Sequence, residues 1–209
     1  IIVRIWRHEN SMTSDSNEAI RPRRAGVLLP LFSVRTKRGW GLGEIPDLEP
    51  LAAWAAQAQL AVVQLLPVNE VRGGETSPYS ASTAFAIDPV YLGLDECEDF
   101  QAAGGRAALG AEDRRLLDEL AALPKIDWPQ VRALKHRASR MAFSRFVSAE
   151  WSRSSKRAQA LKKFRDEHAW LTDHALYCVL HDSLHTDWQQ WPAKLRDRDA
   201  AAPGRAAKD

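Results

Sequence analysis

Three groupings of side chains in this 209-residue sequence could support chemistry, and neighbouring carboxylates come first. Two carboxylates about 5–5.5 Å apart can serve as nucleophile and acid/base in sugar transfer with retention. Helix capping and solvation account for the local pairs, so we expect none of them to be catalytic. These pairs are Glu44 with Asp47, Glu70 with Glu75, and Glu96 with Glu98 and Asp99.

The second grouping is a pair of histidines, His181 and His185, with His174 and Cys178 on the same predicted helix face. Two histidines four residues apart can bind zinc from one helix turn. However, Asp182 stands where this pattern usually has the Glu that acts as a base, and the sequence suggests no further ligand. We therefore expect a solvated, partly packed histidine face and no metal site.

The third grouping is Ser77-Pro78-Tyr79-Ser80, which follows a predicted strand. Pro78 fixes the local turn, and the ring of Tyr79 could pack against the apolar C–H face of a sugar. Ser77 and Asn69 are weaker binding candidates, because polar groups in loops usually satisfy nearby backbone. Tyr79 is thus the main candidate for binding.

A glycine-rich loop, Gly39-Trp40-Gly41-Leu42-Gly43, offers a further aromatic side chain. It lacks the G-x-G-x-x-G spacing of a dinucleotide site, and Glu44 follows it instead of a helix start. Trp40, with Arg35 and Arg38, could contact a carbohydrate, although a structural loop is the favoured interpretation.

Two apolar runs, 24–32 and 61–67, predict the strands that position these loops. Unbroken apolar runs are typical of strands covered on both faces, as in a parallel sheet. Asp47 is placed to cap the helix between them, so the segment forms a βαβ unit. In a β/α barrel, the loops after the strands carry the active site. The helix is predicted from a one-face repeat of Leu48, Leu51, Ala52, Ala55 and Ala58.

Helical patterns dominate the second half of the chain. Asp127 can cap a long helix with Pro129 in its first turn. Further helices are predicted over about 116–123, 157–164 and 167–184, with a break at 152–155. The expected organisation is a disordered extension (1–22), the first part of a barrel (23–99), a helical subdomain (100–199) and a truncated tail (200–209).

Several sequence blocks, in order, resemble the opening of the amylomaltase (4-α-glucanotransferase, disproportionating enzyme) family. The clearest blocks span 39–44, 63–69, 77–86 and 88–92. Segments 126–135, 167–176 and 188–192 are similar, more loosely, to the helical insertion of that family. The resemblance covers roughly residues 24–199.

This resemblance implies an incomplete (β/α)8 barrel with about two strands, because a whole barrel needs ~250 residues. We expect an N-terminal piece of a longer enzyme, since the chain begins with Ile1, has a plausible start at Met12, and ends in a stretch without core pattern. The catalytic carboxylates of the family lie on later strands, so this piece alone should be inactive. The Ser-Pro-Tyr motif implies that Tyr79, with Ser77, lines the donor subsite.

The implied activity is transfer of α-1,4-glucan segments among maltooligosaccharides, starch or glycogen by a retaining double displacement, without a metal or organic cofactor. A non-catalytic glucan-binding or interaction module is one alternative, although two strands without neighbours would leave open edges. A fragment of an α-amylase-like hydrolase is another. The blocks at 77–80 and 84–86 favour the transferase.

Bulk composition excludes other classes of protein. A net charge of +2, from 29 basic and 27 acidic residues, leaves little excess to neutralise phosphates, so we expect no nucleic-acid partner. No apolar run approaches the ~20 residues of a membrane span. Two cysteines, Cys97 and Cys178, without metal spacing suggest a reducing compartment. Cytoplasmic localisation is expected.

Overall fold

The structure is a computed structural model that describes residues 2–4, 24–72 and 74–197. The chain divides into two compact units, Ile1–Phe146 and Val147–Asp209. This boundary falls inside the helical subdomain predicted for 100–199, so the first helices of that subdomain share a unit with the strands. The predicted tail, 200–209, lies outside the described residues, as does the predicted extension apart from residues 2–4.

The first unit contains a three-stranded sheet in the order β1-β3-β2. Its strands are β1 (Ile2–Arg4), β2 (Gly26–Leu29) and β3 (Val62–Leu65). β2 and β3 run parallel, as the two apolar runs predict, with Val27 opposite Val63. β1 pairs antiparallel with the other edge of β3. The expectations of disorder at Ile2–Arg4 and of an open β3 edge therefore do not hold.

One face of the parallel pair is covered by α1 (Leu48–Gln57). Val63 and Leu65 are buried there against Ala55, with Leu48 and Leu51 beside it, so most of the predicted repeat is confirmed. Ala58, its last member, is exposed at the end of α1. On the opposite face, Leu28 remains 57% exposed. Within the described residues the expected cover is therefore found on the α1 side of the pair, whereas Leu28 on the other face is not covered.

The start of α1 also differs from the prediction. Asp47 has helical backbone angles and makes no side-chain cap to α1. Instead it closes a 3₁₀ turn, Ile45–Asp47, by accepting a hydrogen bond from the Glu44 N–H at 2.8 Å. The side chain of Asp47 therefore stabilises the turn before α1 instead of the first turn of α1 itself.

Three more helices complete this unit: α2 (Glu98–Ala102), α3 (Ala111–Ala122) and α4 (Trp128–Phe146). Asp127 caps α4 as predicted, accepting from the Gln130 N–H at 3.1 Å. The apolar stripe of α4 packs into the main core, which also takes residues from the loops after the strands. The fully enclosed members include Trp40, Leu42, Phe100, Val131, Leu134 and Ala138.

The second unit is helical in its described part. A π-helical turn (Val147–Trp151) precedes α5 (Lys156–Glu167), α6 (Trp170–Leu184) and the short α7 (Ala193–Arg196). Ser155 caps α5 by accepting from the Ala158 N–H at 3.2 Å, which accounts for the predicted break at 152–155. Among the described residues, no helix is both long enough and apolar enough to cross a membrane.

Candidate functional site

The loop after β3, residues 69–88, is named the Tyr79 loop. Its two arms form isolated antiparallel bridges, Asn69 with Ile87 and Val71 with Ala81. The Asp88 N–H donates to the Val68 carbonyl at 2.9 Å and closes the base. The loop is therefore an irregular hairpin that leaves the sheet at the carboxyl end of β3.

The tip of this loop presents Tyr79 to solvent. The Ser77 hydroxyl accepts a hydrogen bond from the Tyr79 N–H at 3.3 Å, and the Ser80 N–H donates to the Ser77 carbonyl at 3.0 Å. The Tyr79 side chain is 74% exposed. Ser77 thus shapes the turn, while the ring of Tyr79 is available to a ligand.

Asn69 lies at the base of the loop, where it is half-buried. Its side-chain amide donates across the two arms to the Ala86 carbonyl at 3.5 Å. The adjacent Glu70 N–H donates to the same carbonyl at 3.1 Å. The structure therefore places Asn69 in the frame of the loop rather than beside Tyr79 at its tip.

The loop after β2, residues 34–47, is named the Trp40 loop. Trp40 is fully buried, its ring packs edge-on against Phe100 at 5.7 Å, and its indole N–H donates to Asp95 at 3.1 Å. The Arg106 guanidinium lies over the ring, 5.4 Å from its centroid. Trp40 cannot contact a carbohydrate from this position. The structural loop favoured from the sequence agrees with this burial, whereas the hypothesis that Trp40 binds substrate does not, because helices fold over the loop.

Glycines make this burial possible. Gly41 has a φ of +94°, and a Cβ there would lie 3.2 Å from Leu120 of α3 and from Val131 of α4. A Cβ at Gly43 would collide with the Leu31 and Val34 carbonyl oxygens. The glycine-rich segment therefore allows close packing of backbone against helices, and no ligand is needed to explain it.

The two arginines beside Trp40 also have structural partners. Arg35 donates to the Leu120, Ala121 and Leu123 carbonyls at the carboxyl end of α3, at 2.5–3.3 Å. A cation there satisfies free carbonyls and opposes the helix dipole. Arg38 lies 3.9 Å from Glu96 on the surface. The hydrogen bonds of the Arg35 guanidinium thus stabilise the carboxyl end of α3.

Glu44 forms a buried ion pair with Lys135 of α4, which also donates to the Leu92 carbonyl at 2.6 Å. Burial raises the pKa of the Glu44 carboxyl to about 7, although the ammonium of Lys135 opposes the shift. Burial likewise lowers the pKa of Lys135, with Glu44 opposing. The pair joins the Trp40 loop, α4 and the segment after the Tyr79 loop.

Two other carboxylates from the candidate pairs are also held by basic side chains. Glu70 pairs with Arg72 at 2.7 Å, and Asp99 pairs with Arg145 at 2.6 Å. Both acids are nearly buried. Ion pairs, rather than the expected helix capping and solvation, therefore account for these two carboxylates.

A second ion pair, not predicted from the sequence, joins the buried carboxylate of Asp88 to the partly exposed side chain of Arg132. The two guanidinium nitrogens lie 2.9 and 2.7 Å from the two carboxylate oxygens. Burial, and next the charge of Asp88, raise the pKa of the neighbouring Tyr91 hydroxyl to about 12. A sequence signal was available only for the Glu44–Lys135 pair: Lys135 interrupts the apolar stripe of α4, and a cation on a buried face requires a partner.

The histidine grouping lies in the second unit. His181 is in α6, whereas His185 follows its last turn with a φ of +51°. The His174 ring nitrogen lies 3.6 Å from the Cys178 sulfur. Since His185 leaves the helix, the four-residue spacing does not place both rings on one helical face.

A shallow groove of about 530 Å³ lies between the Tyr79 loop and the α3–α4 connection. Gly74 and Thr76 line one side, and residues 123–129 line the other. Trp128, half-buried in this wall, packs edge-on against Phe32 at 5.3 Å. The first unit thus presents an open groove along part of the loop that carries the exposed ring of Tyr79.

This fold is similar to that of a solved amylomaltase from Corynebacterium glutamicum. The TM-score is 0.62 at 22% sequence identity, over 89% of this chain and 28% of that one. The likeness agrees with two parallel strands and a helical part belonging to a larger α/β fold.

The sequence comparisons define the family. A sequence model of the 4-alpha-glucanotransferase family matches residues 29–209. A 4-alpha-glucanotransferase of Chlamydia pneumoniae is 29% identical over 83% of this chain, and one of Mycobacterium tuberculosis is 29% identical over 86%. One of Oryza sativa subsp. japonica is 31% identical over 81%. The chain belongs to the 4-alpha-glucanotransferase family, and it spans 32%, 26% and 17% of these three relatives.

Proposed function

We propose that this chain forms one wall of the donor site of a 4-α-glucanotransferase that acts on α-1,4-glucans and maltooligosaccharides. Family membership supports the activity, and the exposed ring of Tyr79 supports the site. The ring stands on a loop at the carboxyl end of a parallel strand, where β/α barrels carry their active sites.

The reaction proposed for the enzyme that contains this chain is a double displacement. A carboxylate attacks the anomeric carbon of the donor, the bond to the 4-oxygen breaks, and an acid protonates that oxygen. The 4-hydroxyl of an acceptor glucan then attacks the same carbon, gives its proton to the conjugate base, and releases the carboxylate. Atoms and charges balance without a metal or an organic cofactor.

The residues of this chain would bind and orient the donor. The aromatic face of Tyr79 would pack on the sugar at the cleavage point, while Ser77 holds the turn that presents the ring. Glu44, Glu70 and Asp99 are held in ion pairs and would supply neither nucleophile nor acid. We therefore propose that the reacting carboxylates belong to other parts of the enzyme.

Incubation with maltotriose tests the proposal. The enzyme that contains this chain should produce glucose together with longer oligosaccharides, whereas residues 1–209 alone should produce neither. Turnover by residues 1–209 at a few per cent of the rate of the enzyme would overturn the assignment of the carboxylates elsewhere.

The products also separate the alternatives. Glucose and maltose without longer products would indicate an α-amylase-like hydrolase. Binding of maltooligosaccharides without any turnover by the enzyme would indicate a glucan-binding module.

A further inference from the structure

The carboxylate of Asp88 lies at the base of the Tyr79 loop and is 1% exposed. One oxygen accepts from the Val90 N–H at 3.0 Å, and the other accepts from the Val71 N–H at 3.2 Å. Val71 belongs to the outgoing arm of the loop and Asp88 to the returning arm. This buried side chain therefore joins the two arms at the base of the loop, in addition to the backbone and Asn69 hydrogen bonds that cross between them.

Arg132 of α4 completes this arrangement. Its guanidinium binds both oxygens of Asp88 in a two-pronged contact, at 2.9 and 2.7 Å. The same group lies over the Trp128 ring, 5.6 Å from its centroid. Two planar constraints, carboxylate and indole, define the orientation of the guanidinium. The base of the Tyr79 loop is thus tied to a long helix.

The tip of the loop is shaped by bonds of a different kind. The Glu75 N–H donates to the Arg72 carbonyl at 3.3 Å, and the turn at Ser77 is closed by its own hydroxyl and carbonyl. These local bonds determine the conformation of the tip but do not connect it to α4. The direction in which the tip leaves the sheet is therefore set at the base.

We propose that Arg132 is a positioning residue that acts through Asp88 to hold Tyr79 at the donor site. This inference rests on the proposed function. A misplacement of about 1 Å in a group that orients substrate can lower a rate by as much as about a hundredfold. Loosening the base of the loop should therefore lower kcat more than it raises KM, because the contact matters most at the reacting sugar.

The chemistry of the pair defines the variants. Arg132→Ala leaves Asp88 buried with two backbone donors and without its counter-charge, so the base should open to admit water. Arg132→Lys retains the charge but cannot contact both oxygens in one plane. Arg145→Ala is the matched control, since it removes another arginine of α4 from another nearly buried acid, Asp99.

The experiment measures transfer kinetics and hydrogen exchange in the enzyme that contains this chain. Arg132→Ala should lower kcat/KM about tenfold or more and speed amide exchange throughout the Tyr79 loop. Arg132→Lys should give intermediate values in both measurements. Arg145→Ala should lower thermal stability but leave transfer and loop exchange unchanged.

A double-mutant cycle tests whether Arg132 acts through Tyr79. In a Tyr79→Ala background, Arg132→Ala should reduce transfer little further. Full additivity of the two changes would overturn the proposal, as would unchanged loop exchange in Arg132→Ala. If the unmodified enzyme shows no transfer, the proposed function fails, whereas hydrogen exchange still decides whether Arg132 orders the loop.

Discussion

The Trp40 loop and the Tyr79 loop both follow the carboxyl ends of two parallel strands, yet their aromatic side chains lie in opposite environments. Trp40 lies between two glycines, and Tyr79 follows Pro78. Trp40 is fully buried between helices, whereas Tyr79 is 74% exposed. An aromatic residue in a loop after a strand is therefore a candidate for ligand binding only where no helix packs over its side chain.

The same helix stabilises both loops. Lys135 of α4 pairs with Glu44 in the Trp40 loop, and Arg132, three residues earlier, pairs with Asp88 at the base of the Tyr79 loop. Residues three apart lie on one helix face. α4 therefore contacts the Trp40 loop at Glu44 and the Tyr79 loop at Asp88, which lies at the base of that loop. The tip of the Tyr79 loop, with Tyr79, remains exposed.

The largest expected effect distinguishes the two aromatic residues by stability. Trp40→Ala should lower the free energy of unfolding by about 3–5 kcal/mol, because it empties a closed site in the core. Tyr79→Ala should change it by less than about 0.5 kcal/mol. Denaturant titration of both variants checks this. Equal losses would mean that the two loops do not differ as described.

The next effect concerns the charge held in the Trp40 loop. The pKa of Glu44 rises from 4.5 to about 7 on folding, so the folded state keeps a proton that the unfolded state releases. Its contribution to stability is fully present below about pH 4.5 and is lost as the pH rises through about 7, by at most about 3 kcal/mol.

Denaturation at about pH 5 and about pH 8 should reveal this loss, and Glu44→Gln should reduce the difference between the two conditions. Lys135, whose pKa is lowered, acts in the opposite sense, because its contribution is present at high pH and is lost as the pH falls. The same pH dependence in both proteins would show that Glu44 does not titrate in this window.

A third change tests the function of the exposed loop. If the Tyr79 ring packs on the donor sugar, Tyr79→Ala should lower kcat/KM by roughly ten- to a hundredfold, an effect of ~1–3 kcal/mol. Tyr79→Phe retains the ring and should have a mild effect. Unaltered transfer kinetics in the alanine variant, with folding intact, would make Tyr79 a surface residue without a role in binding.

The smallest effect belongs to Ser77. Its hydroxyl accepts one exposed hydrogen bond from the Tyr79 N–H, so Ser77→Ala should cost about 0.5 kcal/mol in ordering the turn and reduce transfer about twofold. Ser80→Ala is a suitable control in the same turn. A tenfold loss in Ser77→Ala alone would point to direct contact between the Ser77 hydroxyl and substrate.

The sequence was informative where a repeat or a cap had only local requirements. The positions of the two strands, most of the repeat of α1 and the Asp127 cap of α4 were predicted because each depends on neighbouring residues. The burial of Trp40 was not predicted, since it depends on α3 and α4, which pack onto the loop from far along the chain. The 3₁₀ turn that contains Asp47 was also not predicted, because the helical repeat of α1 gives no information on the residues before it.

For the candidate site, the sequence provided the tip of the Tyr79 loop and missed its base. Ser77 and Tyr79 form a recognisable motif, whereas Asp88 and Arg132 are 44 residues apart and match no spacing rule. To predict an ion pair between distant residues, the relative positions of two elements must be known. Hydrophobic periodicity predicts only which face of each element is buried.

The short strand β1 has a consequence for how this sheet can be extended. Ile2–Arg4 occupies the edge of β3 that faces away from β2, so β3 is the central strand and both its edges are hydrogen-bonded. A further parallel strand could join at β3 only by strand exchange, in which three antiparallel residue pairs are surrendered as the new pairs form. The edge of β3 that faces away from β2 is thus occupied by β1 in this sheet.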